Sequence, residues 1–585
     1  MSTLYKERLE GRRIRLLEIL PGKGDTIDCR LVPADLDSPP SYEALSYVWG
    51  DKTDTRIITC DGLSLSVTIN LFDALVRLRS VAPRLIWADA ICINQYDTKE
   101  KDQQVRMMKD VYSAARRVVV WLGKEEEGDN VEDAIMLMNT IYKLSQNRVP
   151  DLETLLKTKE LWLELSSVTV DDIAIEFTSI AWASMAQLYR RPWFKRIWCV
   201  QEVKVAQEAI VLCGPWHVDW DVVGFTAGWI LKLQYDIYVK LGLSSTGHIW
   251  MMYLKDAGEL PLLRALVRFR ELKATDPRDK VYAILGLTPE ANAVPIDYNS
   301  SLGRVFADTA YALIHLRKDL DVLSHVHHHE DYNGSSEFPS WAPRWDEDGI
   351  SISFQALHIL RERWSFSSIQ EPSKSETDTL RLSGICFDAA TYTSSKMEPH
   401  KFKEFNRTLE PHPLVTLWRD IASGLFESTS GSFTKMARTL TTGLTETLHI
   451  VEDLALDEQK PFYAEFFAFM KILFQQIEKM PATLDACIGS FGEADPRSHW
   501  IFSSSVCESW KVFHTSKGFF GVGPACMKNG DLVVLLCGGC HPYVVRPMPD
   551  GGGYLFLGGC YIDDIPSGKV DVSFNEANLE VFEFH

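Results

Sequence analysis

No stretch of the 585-residue chain approaches the roughly 18 consecutive apolar residues that a membrane-crossing helix needs, so no span is expected. Positive charge is also short: 61 Lys and Arg stand against 80 Asp and Glu, a formal net charge of −19. Nucleic-acid binding needs a concentrated basic face, and the basic run from Arg190 to Arg196 is brief and broken by aromatic residues. A nucleic-acid partner is therefore not expected. The N-terminus is charged from Lys6 onward and lacks the apolar core of a secretory signal. Ser2 stands where myristoylation would need glycine, and the last residues, Val581 to His585, are no prenylation box. These absences lead to the expectation of a cytoplasmic protein. No repeat of fixed period occurs. The composition, 46% hydrophobic and 24% charged, is that of a globular chain too long for one core, so two or three domains are expected.

Metal-ligand patterns are scarce too. Among 12 cysteines, one pair, Cys537 and Cys540, has CxxC spacing, and no second pair completes a zinc site. The two glycines between them favour a hairpin over a zinc or redox role. His325, His327, His328 and His329 are too nearly consecutive to close around an ion. No metal and no resident cofactor are expected. Gly518, Gly521 and Gly523 lie among strand-like residues with no helix following, which suits a hairpin better than a dinucleotide loop.

What is present alternates between strand and helix. Tyr42 to Trp49 reads as a strand closed by the turn Gly50-Asp51. Leu71 to Arg79 carries leucines on one helical face. Leu85 to Cys92 reads as a buried strand. Asp97 and Glu100 form a capping-box pattern before a helix. Arg117 to Gly123 is β-branched and suits a central parallel strand. Asp129 to about Ala181 reads as charged helix. Strands alternating with helices predict a parallel sheet covered on both faces.

Arg190 to Gln207 raises the sharpest question. Trp198 precedes Glu202 by four residues, so indole and carboxylate share one helical face. One reading is a working acid beside an aromatic wall. The other is a solvated helix face with Glu202 paired to Lys195, Arg196 or Lys204. Trp87 and Trp121 read as core, and Cys92 and Cys199 as buried thiols with no histidine nearby in sequence.

Four blocks, Tyr42 to Asp51, Ile86 to Gln95, Gln104 to Gly123 and Arg191 to Glu202, together resemble the HET domain of fungal heterokaryon-incompatibility proteins. The resemblance covers roughly residues 42 to 206. Thr275 to Asp279, Pro339 to Trp345 and the region from Gly521 to Asp531 are similar to stretches that commonly follow that domain. It implies a role in non-self recognition and cell death, with an incompatibility partner protein and possible self-association. HET domains are also similar to TIR domains, many of which cleave NAD. Trp198 to Val203 resembles the TIR segment that carries the catalytic glutamate, which falls here on Glu202, and Val203 stands where leucine is usual.

That likeness implies an α/β fold with a TIR/flavodoxin-like parallel sheet and NAD, or a related nucleotide, as substrate. Cleaving the nicotinamide–ribose bond releases a neutral pyridine, so one carboxylate that stabilises the oxocarbenium ion can suffice. Ligands of parallel sheets sit at the carboxyl ends of the strands. The loop Tyr47 to Asp51, the loop Asp89 to Gln95 and the turn after Gly123 are the candidate lips. Tyr47, Trp49, Gly50, Asp51, Asp89, Asn94, Gln95 and Trp198 are the expected substrate-binding residues and Glu202 the catalytic one. For Asp89, capping of its own turn is the competing role. The competing functions are a non-enzymatic assembly module that triggers cell death through protein partners and, more remotely, a biosynthetic enzyme reusing the fold. The expected organisation is an extension over 1–41, a HET domain over 42–215, a helical region over 216–335, a mixed and mostly helical region over 336–510, and a β-rich unit over 511–585.

Overall fold

The computed structural model describes residues 4–148, 179–254, 260–335, 337–347, 373–374, 378–397, 430–445, 449–475, 482–492, 494–563 and 579–585. The chain forms two compact units, Met1–Ser300 and Ser301–His585.

The first unit is built on a nine-stranded sheet with the order β5-β4-β2-β1-β6-β3-β7-β8-β9. Its strands are β1 (Arg13–Ile19), β2 (Asp28–Asp35), β3 (Glu43–Tyr47), β4 (Thr55–Cys60), β5 (Leu63–Thr68), β6 (Arg84–Trp87), β7 (Arg117–Trp121), β8 (Ala209–Cys213) and β9 (Trp216–Asp219). β3 pairs in parallel with β6 and β7, and β7 in parallel with β8. The rest is largely antiparallel: β1 with β2 and β6, β4 with β5, β8 with β9. The sheet is thus mixed, with a parallel centre, where a parallel one was expected. Three of the antiparallel pairs join consecutive strands, which alternation did not single out, and the fourth joins β1 to the distant β6. Two of these strands, β1 and β2, lie in the segment read as an extension.

The helices of this unit are α1 (Ile69–Leu78), α2 (Asp89–Cys92), α3 (Thr98–Ala114), α4 (Val131–Arg148), α5 (Ile180–Tyr189), α6 (Trp198–Lys204), α7 (Trp220–Leu233), α8 (Tyr235–Leu241), α9 (Ser245–Tyr253), α10 (Leu262–Arg268) and α11 (Asp279–Leu285). The strand expected over Leu85 to Cys92 stops at Trp87, and Asp89 starts a single helical turn. The helix expected over Asp129 to Ala181 is seen at its two ends, and residues 149–178 lie outside the described residues. β3 is buried along its whole length, as are four of the five residues of β7. Trp87 and Trp121 are core, Trp87 meeting Tyr112 edge to face.

Asp97 caps α3 as its sequence suggests, accepting from the Lys99 and Glu100 amides. Glu100 does not return the favour. It is fully buried and takes Arg15 Nη1 at 2.5 Å, Arg15 Nη2 at 3.1 Å and the Asn94 amide at 2.9 Å. This pair ties β1 to the start of α3.

The second unit holds the other nine-stranded sheet, and its β-rich character agrees with the C-terminal expectation. Its longest strand, β11 (Leu380–Thr393), pairs with β10 (Ser373–Lys374), β12 (Trp510–Thr515), β14 (Leu532–Leu536) and β18 (Glu580–Phe584). Strands β13 (Phe520–Pro524), β15 (Tyr543–Pro547), β16 (Tyr554–Gly559) and β17 (Tyr561–Ile562) complete it. The sheet therefore draws its longest strand from well before residue 511. Helices α12 (Leu302–Arg317), α13 (Ser430–Leu440), α14 (Leu456–Gln475), α15 (Ala482–Phe491) and α16 (Arg497–Cys507) belong to the same unit. The Cys537 to Cys540 segment joins the antiparallel β14 and β15, with Gly538 at φ 83°. Gly518 turns the β12–β13 hairpin at φ 91°. Among the described residues no helix is long and apolar enough to cross a membrane, and no cluster of metal ligands occurs.

Because Glu100 has no water to fall back on, Arg15→Ala should strand its carboxylate and cost about 3–5 kcal/mol. Chemical denaturation of the full chain measures this. A loss below about 1 kcal/mol would mean that the pair does not anchor β1.

Candidate functional site

After β3 the chain passes through β4, β5 and α1 before entering β6 on one side of β3, and from β6 it passes through α2 and α3 to β7 on the other. Strand order therefore reverses at β3, the kind of place where open α/β sheets bind ligands. A cavity of about 990 Å³ lies in this unit. Of the expected residues, Trp49, Gly50, Asp89, Gln95 and Trp198 line it.

The loop after β3 is held in place by Asn70 in the first turn of α1. Its amide donates to the Val48 carbonyl at 2.6 Å, and its Oδ1 accepts from Trp121 Nε1 at 3.0 Å. Gly50 turns there at φ 76°, a conformation that side chains disfavour. Asp89 starts α2, where its carboxylate accepts from the Ala90 amide at 2.8 Å and from Trp49 Nε1 at 2.8 Å. Gln95 donates to the Asp89 carbonyl at 2.9 Å. Asp89 thus caps its own turn and lines the cavity at once.

Four expected residues do not line the cavity. Asp51 closes an exposed turn, accepting from the Thr53 amide at 2.8 Å, which lowers its pKa. Asn94 accepts from the Tyr96 amide at 3.2 Å, again within its turn. Tyr47 is buried, and burial together with the charge of Asp89 raises its pKa. Glu202 is buried and is not among the residues that line the cavity. Nor is the turn after Gly123 a lip, for Arg191 fills it by donating to the Leu122 and Lys124 carbonyls at 3.0 and 2.8 Å.

Glu202 is only 2% exposed, which rules out the solvated helix face. The short helix α6 points it at β3, where it accepts from the Ser46 hydroxyl. Ser46 in turn accepts from Trp193 Nε1 at 2.8 Å. Trp193 is placed by the turn Pro192–Lys195 before α6 and packs edge to face on Phe194 and Trp220. Burial raises the Glu202 pKa to about 7, and the nearby charge of Arg196, with the Ser46 bond, holds it from rising further. Arg196 reaches the Tyr47 carbonyl and stands 3.9 Å from Asp89 while lining the cavity. It is the link between the buried carboxylate and the open space. Cys92 and Cys199 are buried, their thiol pKa values raised to about 12 and well above the ordinary value, so neither is poised as a thiolate.

The opposite wall was not anticipated as part of a site. It is formed by Lys273 to Asp279 and Tyr298, beyond the expected 42–215 domain. Tyr298 donates to Asp279 at 2.6 Å, and Asp279 is buried, which raises its pKa against the pull of Tyr298 and Trp198. Arg278 makes a two-bond pair with Asp276 at 2.9 and 2.7 Å. The sequence signal was the Thr275-Asp-Pro-Arg-Asp279 turn, whose neighbourhood in space could not be read from its place in the chain. Ser46 and Trp193 were missed because a strand serine and a turn tryptophan carry no pattern of their own.

Glutamate with a raised pKa favours its protonated form when folded, so its contribution to stability is present at low pH and lost as pH rises toward 7 and beyond. The shift from 4.5 to about 7 corresponds to a penalty on the order of 3 kcal/mol at alkaline pH. Glu202→Gln removes it. The unfolding midpoint of the wild type should therefore fall relative to Glu202→Gln between pH 5 and pH 8. A difference that stays constant across that range would show that Glu202 ionises with its ordinary pKa.

Residues 42–202 match the heterokaryon incompatibility protein (HET) family, and residues 489–579 match the Het-6 beta-barrel domain. "Heterokaryon incompatibility protein 6, OR allele" of Neurospora crassa is 27% identical over 662 aligned positions that take in 95% of this chain and 94% of the relative. No solved structure gives a significant match. Two matched regions and a relative running nearly the length of both chains support a heterokaryon incompatibility protein.

Proposed function

We propose that the first unit is a TIR-like NAD glycohydrolase domain whose activity drives an incompatibility response. The observation that carries this reading is a buried carboxylate, Glu202, with its pKa raised to about 7 and acted on by the charge of Arg196, which lines a cavity at the carboxyl ends of parallel strands. Strongly perturbed carboxylates in such positions are candidates for chemistry. Trp49 and Trp198 supply flat apolar walls for a nicotinamide or adenine ring. Asp89 and Gln95 supply polar groups for ribose hydroxyls. Arg196 holds down the Glu202 pKa, and the ionised carboxylate stabilises the positive charge that develops on the ribose as neutral nicotinamide departs. Water then completes the hydrolysis. Self-association and an incompatibility partner protein belong to this reading as the means of switching the domain on.

A second reading has its own support. The carboxylate is off the cavity wall and bonded to Ser46, which is also what a structural pin between α6 and β3 would look like. In that case the unit is a signalling and assembly module without chemistry.

Nicotinamide release from NAD by the purified full chain separates the two. The expected result is measurable release in the wild type that drops about 100-fold or more in Glu202→Gln with the fold retained. Release that survives the substitution would remove Glu202 from the mechanism. Absence of release from the wild type, even at high protein concentration where assembly is favoured, would leave the assembly module.

A further inference from the structure

The cavity is charged opposite to the chain that contains it. Its wall holds seven Lys and Arg side chains and three Asp, a balance of +4 from 7 − 3, in a protein of net charge −19. The three carboxylates are all engaged by neighbours: Asp89 by Trp49, Asp276 by Arg278, Asp279 by Tyr298. Not all the cations are. Lys195 and Lys273 have no ion pair and no side-chain hydrogen bond among the described residues. The backbone nevertheless forces these two together. Lys273 donates its amide to the Lys195 carbonyl at 2.6 Å, the Ile197 amide donates to the Lys273 carbonyl at 3.0 Å, and Arg196 bridges to Lys273 in parallel. Two exposed lysines are thus carried into one cavity wall from neighbouring backbone, where an anion can meet both. In the same wall, Lys101 lies 4.2 Å over the Tyr298 ring.

We propose that the Lys195–Lys273 bridge is a pyrophosphate subsite and that the cavity takes a nucleoside diphosphate moiety. Two adjacent lysines and a third facing them suit two linked phosphates better than a single carboxylate. Trp49 and Trp198 in the same cavity offer stacking faces for the base or the nicotinamide. The ligand class rests on the nucleotide reading given above, but the subsite does not depend on any bond being cleaved. It also assigns a role to residues near 273, outside the matched 42–202 region.

Calorimetric titration of the full chain with ADP, inorganic pyrophosphate and adenosine tests it. ADP and pyrophosphate should bind, with adenosine at least about 10-fold weaker than ADP, and the ADP affinity should fall as salt is raised. The double variant K195Q/K273Q should lose about 10-fold or more for ADP, while K23Q, which removes an exposed lysine outside the cavity, should lose nothing. Equal binding of adenosine and ADP, no binding of pyrophosphate, or unchanged ADP affinity in the double variant would each overturn the subsite. Lysine-dependent ADP binding without nicotinamide release would sustain the subsite and sink the glycohydrolase. Nicotinamide release with an unchanged KM for NAD in K195Q/K273Q would do the reverse.

Discussion

Arg196 is the constraint on which the site depends. Its guanidinium touches the end of β3 through the Tyr47 carbonyl, faces Asp89 at the start of α2, and sits beside the buried Glu202 of α6. A charge with about a quarter of its side chain exposed loses much of its hydration, and here that loss is offset by two carboxylates and a carbonyl. The charge persists, because Glu202 and Asp89 raise its pKa against the desolvation that lowers it. Without Arg196, Glu202 would be a lone acid in an apolar setting and would stay protonated through a wider pH range. Position, charge and hydrogen bonding of the whole neighbourhood follow from this one side chain and from the turn, Pro192 to Lys195, that delivers it.

The sheet explains why the turn can do so. β3 lies between β6 and β7, and its N-terminal Glu43 is clamped by Arg84, by Arg117 at 2.6 Å and by Arg116 at 3.1 Å. Burial raises the Glu43 pKa, and Arg84 and Arg117 outweigh it and lower the value. One end of the central strand is thus fixed by charge, and the other opens onto the cavity. β1 and β2 extend the sheet beyond β6, and Glu100 locks β1 to α3 through Arg15. A cavity built on so firmly held a strand can present side chains at fixed distances.

The parts of this arrangement legible in the sequence are those with local signatures. Asp97 showed itself as an N-cap, the run Arg117 to Trp121 as a buried strand, and Trp87 and Trp121 as core. Glu202 was legible as an unusual residue but not as a buried one, since helical spacing tells which face it shares with Trp198 and not what covers that face. Asp51 and Asn94 misled because aspartate and asparagine favour binding loops and tight turns alike, and here the turns claimed them. The opposite wall was illegible for a different reason. Lys273 reaches the cavity through a backbone bridge to Arg196, some 80 residues away, and pairing of that kind leaves no period in the sequence.

Glu202 and the cavity are not independent, because they share Arg196. The guanidinium lowers the Glu202 pKa from above, so anything that draws it toward the cavity weakens that restraint. An anion bound near Lys195 competes for the same guanidinium. Its arrival therefore favours the protonated carboxyl, whereas a neutral or cationic ring placed against Trp198 leaves Arg196 to Glu202 and favours the ionised form. A ligand with both features, negative at one end and cationic at the other, sets these tendencies against each other across a single residue. The protonation of the buried acid is then governed by how the ligand lies and not only by the pH of the solution. The same balance acts in reverse: ionising Glu202 pulls Arg196 away from the cavity and reduces its attraction for phosphate.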